Sequence, residues 1–177
     1  MVSRNNGGNT ANCFCNASQQ SSIINFVDEI WAQAGLDIEF LSANTWNSSF
    51  ANQGSTTPRP TSDLGSILSD ANLAGVINSD SSVINMFFVN IVPGFDVLNG
   101  DIAAGLAFIN NNGIAQYVGS NLLTFSGGLE TIASVVAHEI GHNLGLDHNT
   151  IDQNLMASGN NIADGERLNS AQITNVL

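Results

Sequence analysis

All three histidines of the chain fall within one segment, His138-Glu139-Ile140-Gly141-His142-Asn143-Leu144-Gly145-Leu146-Asp147-His148. On an α-helix, residues four apart lie one turn apart and about 40° round the axis. His138 and His142 can therefore aim imidazole nitrogens at one metal ion. Six residues further along a straight helix the chain would have climbed about 9 Å, too far for His148 to reach the same ion. The helix must stop between them, and Gly145 stands where a residue able to take the left-handed conformation would end it and turn the chain back. His148 then completes a three-histidine face with a fourth position for water, the ligand set of a catalytic zinc ion.

For a motif defined in advance, chance placement of the other two histidines around His138 is roughly a one in ten thousand event, so three unrelated histidines are the weaker reading. A closed structural zinc site usually has four protein ligands, often cysteines, and none lies near this segment. Glu139 is too close to His138 along the helix to join the ligand face. Its expected work is that of a base that takes a proton from the metal-bound water and delivers it to a leaving amine; an ordinary solvated glutamate is the plain alternative.

These residues need elements to position them. Ile132, Val136 and Ile140 mark one face of the helix that carries the motif, after Ser126-Gly127-Gly128. Upstream, Ile23, Val27, Ile30, Trp31 and Ala34 recur at helical spacing, Ile24 and Phe26 widen the stripe, and Gly35 stands at the left-handed cap, predicting a buried helix from about 22 to 35. Leu36, Ile38 and Phe40 alternate with Asp37 and Glu39 as in a half-buried strand. Residues 42–62 read as a loop and 63–77 as a short helix. Val83 to Val92 is strongly strand-like and central in a sheet, ended by Pro93-Gly94. Ala104–Ile109 and Ile114–Val118 read as strands joined by Asn110-Asn111-Asn112-Gly113, a hairpin-type loop. Residues 1 to about 20, rich in Asn and Gly, read as a loosely ordered lead-in. No internal repeat or linker interrupts the chain, so residues 1–177 read as a single domain, as 177 residues and 18.5 kDa allow.

Charge narrows the partners. Fifteen Asp and Glu against three Arg and no Lys give a net charge of -12, which opposes nucleic-acid phosphates and anionic membrane surfaces and favours cationic ligands. No apolar run approaches the roughly 20 residues of a membrane-spanning helix. Charged residues are only 10% of the chain, so its polar surface must rest largely on Asn, Ser, Thr and Gln, as in Asn110–Asn112 and Asn160-Asn161. Such a surface suits an extracellular or saline setting. Met1-Val2-Ser3-Arg4 lacks the apolar core of a signal peptide, so either export does not use that route or the targeting segment has been removed. A bridge between Cys13 and Cys15 would be strained, because an extended C-x-C places the Cα atoms about 7 Å apart; free or externally paired thiols are the plainer reading.

The pattern H-E-x-x-H-x-x-G-x-x-H is matched at every specified position, and in this the chain resembles the metzincin clan of zinc metallopeptidases. The resemblance implies an α+β catalytic domain: a twisted mixed sheet with an edge strand over the cleft, an active-site helix, a methionine turn and a C-terminal helix. Leu155-Met156-Ala157 fits the methionine turn, with Met156 flooring the metal without binding it. Gly105-Leu106-Ala107-Phe108 lies where the family pairs an extended substrate with its edge strand. The pocket for the side chain after the scissile bond would lie near Val135 and the segment from Ala157 and Ser158 to Asn161. Residues 168–177 match the C-terminal helix, with Asn169 or Ser170 as cap. A first strand is implied before residue 22, where little strand character is visible.

The branch is open between matrixin-like and adamalysin/reprolysin-like, with a bacterial source among the possibilities. His-Asn-Leu-Gly after Gly141 is similar to reprolysins, Asn149 replaces their Asp, and the short link to Met156 is similar to matrixins. Ser158 stands where astacins and serralysins carry a tyrosine. The resemblance implies a zinc endopeptidase with one catalytic Zn²⁺, Glu139 as base, a peptide or protein substrate and a monomeric state; the net charge makes basic substrates plausible. A calcium site of Asp and Asn is possible but unlocated. A thiolate from Cys13 or Cys15 on the zinc has no matching switch motif. A catalytically silent binding module and a zinc hydrolase of a small amide are the alternatives.

Overall fold

A computed structural model describes residues 2–4, 17–42, 45–47, 60–89, 105–117, 127–158 and 165–177. They group into two compact units interleaved along the chain, one drawn mainly from Ser42–Phe108 and Asn112–Ser120, the other from Phe14–Leu41 and Asn121–Leu177.

The first unit is built on a five-stranded mixed sheet. Its strands are β1 (Val2–Arg4), β2 (Thr45–Asn47), β3 (Met86–Val89), β4 (Gly105–Ala107) and β5 (Ile114–Tyr117), in the order β2-β1-β3-β5-β4. β3 is central, as its unbroken apolar run predicts: Phe87 and Phe88 point to opposite faces and both are buried. β1, β2, β3 and β5 run parallel, and β4 pairs antiparallel to β5 with Leu106 opposite Ala115. The hairpin predicted around Asn110–Gly113 is therefore present, and among the described residues β4 is an edge strand. Asn112 has a structural task in it. Its side-chain oxygen accepts from the Asn85 backbone N–H at 2.8 Å and its amide donates to the Val83 carbonyl.

Among the described residues one helix belongs to this unit, α2 (Pro60–Leu73). Proline at a first helical position loses no hydrogen bond, which explains a start earlier than the hydrophobic stripe suggests. Leu64, Ile67 and Ala71 form that stripe and pack with Phe87 and Ala115, with Trp46, Leu68 and Leu106 at the margin. Trp46 and Phe87 meet edge to face, ring centroids 5.7 Å apart.

The second unit holds α1 (Ala17–Ala32), α3 (Gly128–Asn143) and α4 (Ser170–Val176). α1 packs against α3 through the predicted stripe, with Ile23, Val27, Ile30 and Trp31 buried. Gly35 takes φ +70, and the Leu36 N–H returns to the Trp31 carbonyl at 3.2 Å, closing the helix where the sequence places its cap. α4 begins one residue after Asn169, whose side chain accepts from the Gln172 N–H while Gln172 answers to the Asn169 N–H. This is a reciprocal capping box.

Three expectations need correction. Residues 42–62, read as a loop, contain β2, because Thr45–Asn47 pair in parallel with β1 despite their polar surroundings in sequence. The lead-in over residues 1–20 contains β1 and the first turn of α1: parallel pairing to two neighbours makes a strand of Val2–Arg4, and Ala17, Gln19 and Gln20 are good helix formers. Leu36–Phe40 shows the expected alternation, its odd members exposed and its even members half-buried, yet forms no ladder among the described residues. Alternation reports one-sided burial, which does not require a partner strand. Cys13, Cys15, Asn160 and Asn161 lie outside the described residues.

Candidate metal centre

α3 is buried on every side from Ile132 to His142, including the predicted face of Ile132, Val136 and Ile140. It ends in two return bonds, the Gly145 N–H to the His142 carbonyl at 2.9 Å and the Leu146 N–H to the Gly141 carbonyl at 2.9 Å. That is the Schellman arrangement, and it requires the φ of +88 that Gly145 adopts. Replacing Gly145 by alanine is expected to cost about 1–2 kcal/mol of stability, the left-handed penalty of an L-residue, measured by denaturant unfolding of the metal-free chain.

The turn brings His148 back to the helix. His148 Nε2 lies 3.1 Å from His138 Nε2 and 3.0 Å from His142 Nε2, and the potential ligand atoms of the three residues all lie within 4.8 Å of one another. Zinc–nitrogen bonds of about 2.0–2.1 Å in tetrahedral directions would separate the nitrogens by roughly 3.3 Å. The spacing suits one small ion.

Two backbone carbonyls orient the rings. His138 Nδ1 faces the Leu155 carbonyl at 2.6 Å, and His142 Nδ1 faces the Leu146 carbonyl at 2.7 Å. A carbonyl only accepts, so each Nδ1 carries the proton and, in the neutral ring, each Nε2 turns a lone pair inward. Burial, the largest influence, pushes His138 down to about 4, against the upward pull of the Leu155 carbonyl. It lowers His142 and His148 too, while Asp147 raises both and the Leu146 carbonyl also raises His142. The neutral, metal-binding form is thus favoured at neutral pH. Converging lone pairs repel unless a cation stands between them, and uncharged imidazoles suit Zn²⁺.

Glu139 is 5% exposed, and burial pushes its carboxyl up to about 8. In the metal-free chain the folded state therefore keeps, between about pH 4.5 and 8, a proton that the unfolded state has released. Stability from this group is full below pH 4.5 and is lost as pH rises through 8. Glu139→Gln is expected to raise the unfolding free energy of the chelated chain at pH 8 by about 2–4 kcal/mol, with the gain vanishing toward pH 4.5. Urea unfolding of both chains at several pH values checks it.

Met156 is fully buried, and a Cβ added at Gly141 would stand 2.6 Å from its sulfur. The side chain thus lies against the helix between the first two histidines, where glycine allows close approach. Val135 and Ala157 are buried and Ser158 is exposed. A cavity of about 430 Å³ lies elsewhere in this unit, between α1 and Gln153, Glu166 and Arg167, and no histidine lines it. The sequence reading missed the Leu155 and Leu146 carbonyls, which carry no side-chain signal, and Asn154 and Gln172. For Gln172 a signal existed: N-x-x-Q at the start of a helix is a capping-box spacing.

A three-histidine centre, with a buried glutamate beside its first ligand and a methionine packed under the helix, defines a metzincin-type metallopeptidase domain of α+β class. The chain belongs to the reprolysin-like metallopeptidases of family M12B: the model of "Metallo-peptidase family M12B Reprolysin-like" matches residues 17–149. No curated protein matches the sequence. Among solved structures, the fold is similar to that of metalloproteinase-II from Bacteroides fragilis, with a TM-score of 0.50 and 15% identity over 99% of this chain and 52% of that one. The chain spans about half the length of that protein.

Proposed function

We propose that the chain is a zinc-dependent endopeptidase. The convergence of three imidazole Nε2 atoms, two with their Nδ1 protons committed to carbonyls, carries this reading together with family membership. Zinc held by His138, His142 and His148 would supply Lewis-acid chemistry, polarising the scissile carbonyl and activating a water.

Glu139 accepts the proton as the water oxygen bonds to the carbonyl carbon, and returns it to the amide nitrogen as the C–N bond breaks. Burial, which favours its protonated form, and the ion's charge, which favours the carboxylate, act in opposite directions, as a group that takes and gives back one proton requires. β4, which among the described residues pairs with β5 alone, is the edge to which an extended peptide would add as a strand. Val135, Ala157 and Ser158 are proposed to shape the pocket for the substrate side chain. The net charge of -12 supports basic substrates, with faster cleavage of cationic peptides at low salt than at high. The test is hydrolysis of a quenched peptide library by the zinc-loaded chain, with and without chelator.

A further inference from the structure

His138 and His142 are fixed by α3, but His148 comes from a non-helical stretch and is exposed. Its position depends on the residue after it. The Asn149 N–H donates to the Met156 carbonyl at 2.8 Å, the Ser158 N–H donates to the Asn149 carbonyl at 3.3 Å, and the Asn149 amide donates to Asn154 Oδ1 at 2.6 Å.

Asn154 and Gln172 are both buried, and their carboxamides pair face to face. Asn154 Nδ2 donates to Gln172 Oε1 at 2.8 Å, and Gln172 Nε2 donates to Asn154 Oδ1 at 2.9 Å. Backbone donors settle which end is oxygen: the Met156 N–H points at Asn154 Oδ1 at 3.0 Å and the Asn169 N–H at Gln172 Oε1 at 2.9 Å. Neither amide can flip without setting donor against donor. The same turn contains Leu155, whose carbonyl orients His138 and whose N–H donates to the Arg167 carbonyl at 2.7 Å.

We propose that Gln172, through Asn154, is a positioning residue for the metal: the amide pair locks the turn that holds both the Leu155 carbonyl on His138 and Asn149 beside His148. The inference rests on the zinc reading above. Outer-shell partners of metal ligands commonly govern metal affinity by 10–100-fold.

The test compares the natural chain with Gln172→Glu and Thr174→Gly, measuring zinc affinity by chelator competition, the visible spectrum of the Co²⁺-loaded chain, and the unfolding midpoint. A glutamate at 172 keeps the volume and the capping acceptor, and above the pH at which it ionises it has no proton to donate to Asn154 Oδ1, so the comparison is made on the alkaline side of that transition. Thr174 is exposed on the same helix, and glycine there weakens α4 without touching the pair. Gln172→Glu is expected to bind zinc about 10-fold or more weakly and to shift the Co²⁺ spectrum, while Thr174→Gly lowers the midpoint and leaves both unchanged. Natural affinity and spectrum in Gln172→Glu, or an equal loss in Thr174→Gly, overturns the clamp alone. A natural chain that takes up no zinc overturns the metal-centre reading, and the clamp with it.

Discussion

Zinc-loaded Glu139→Ala is expected to cleave a quenched peptide library about 10²–10⁴-fold more slowly than the natural chain, while binding one zinc with little change in affinity. Glu139 contributes no ligand to the three-histidine group, so zinc binding should survive; on the proposed mechanism, what is lost is the group that holds the proton between attack and departure of the amine. Glu139→Gln is the companion variant, because alanine also empties a buried volume and glutamine does not. Both should be slowed to that degree and remain metal-replete. A variant that cuts at near the natural rate removes Glu139 from the mechanism. If the natural chain itself cuts nothing, the function shifts to a latent enzyme, a binding module or a small-amide hydrolase.

Removing ligands should separate metal binding from folding. His142→Ala and His148→Ala are both expected to lose tight zinc binding and to reduce cleavage to background, as chelation does. In the metal-free state they should differ. His142 is buried with Nδ1 on the Leu146 carbonyl, so alanine there leaves a cavity and an orphaned acceptor, costing about 1–3 kcal/mol. His148 is exposed, and its loss should cost the apo chain little. For the natural chain, zinc at about a thousand times its dissociation constant should add about 4 kcal/mol, and neither variant should show that gain. Denaturant midpoints with and without zinc check all three statements. A zinc-dependent rise in His148→Ala would mean that the ion is held without the third histidine.

Elements whose reasons are local were legible in the residues. The i, i+4 spacing of His138 and His142, the left-handed requirement at Gly145 and Gly35, the hairpin loop before Gly113 and the Asn169 cap all follow from backbone geometry within a few residues. β1 was not legible, because three polar and apolar residues near a terminus become a strand only through two parallel neighbours. Leu36–Phe40 failed in the opposite sense: its alternation is real, but among the described residues it has no ladder.

The grouping of the three histidines and the stop of the helix were thus determined by the sequence alone, since spacing on one helix dictates which side chains can share a point in space. Only the tertiary structure decided which carbonyls hold the imidazole protons, how deeply Glu139 is desolvated, and that Asn154, 18 residues before Gln172, would pair with it. Carbonyls are chemically alike along a chain and asparagines are many here. Which of them meet is settled by packing that brings distant segments together.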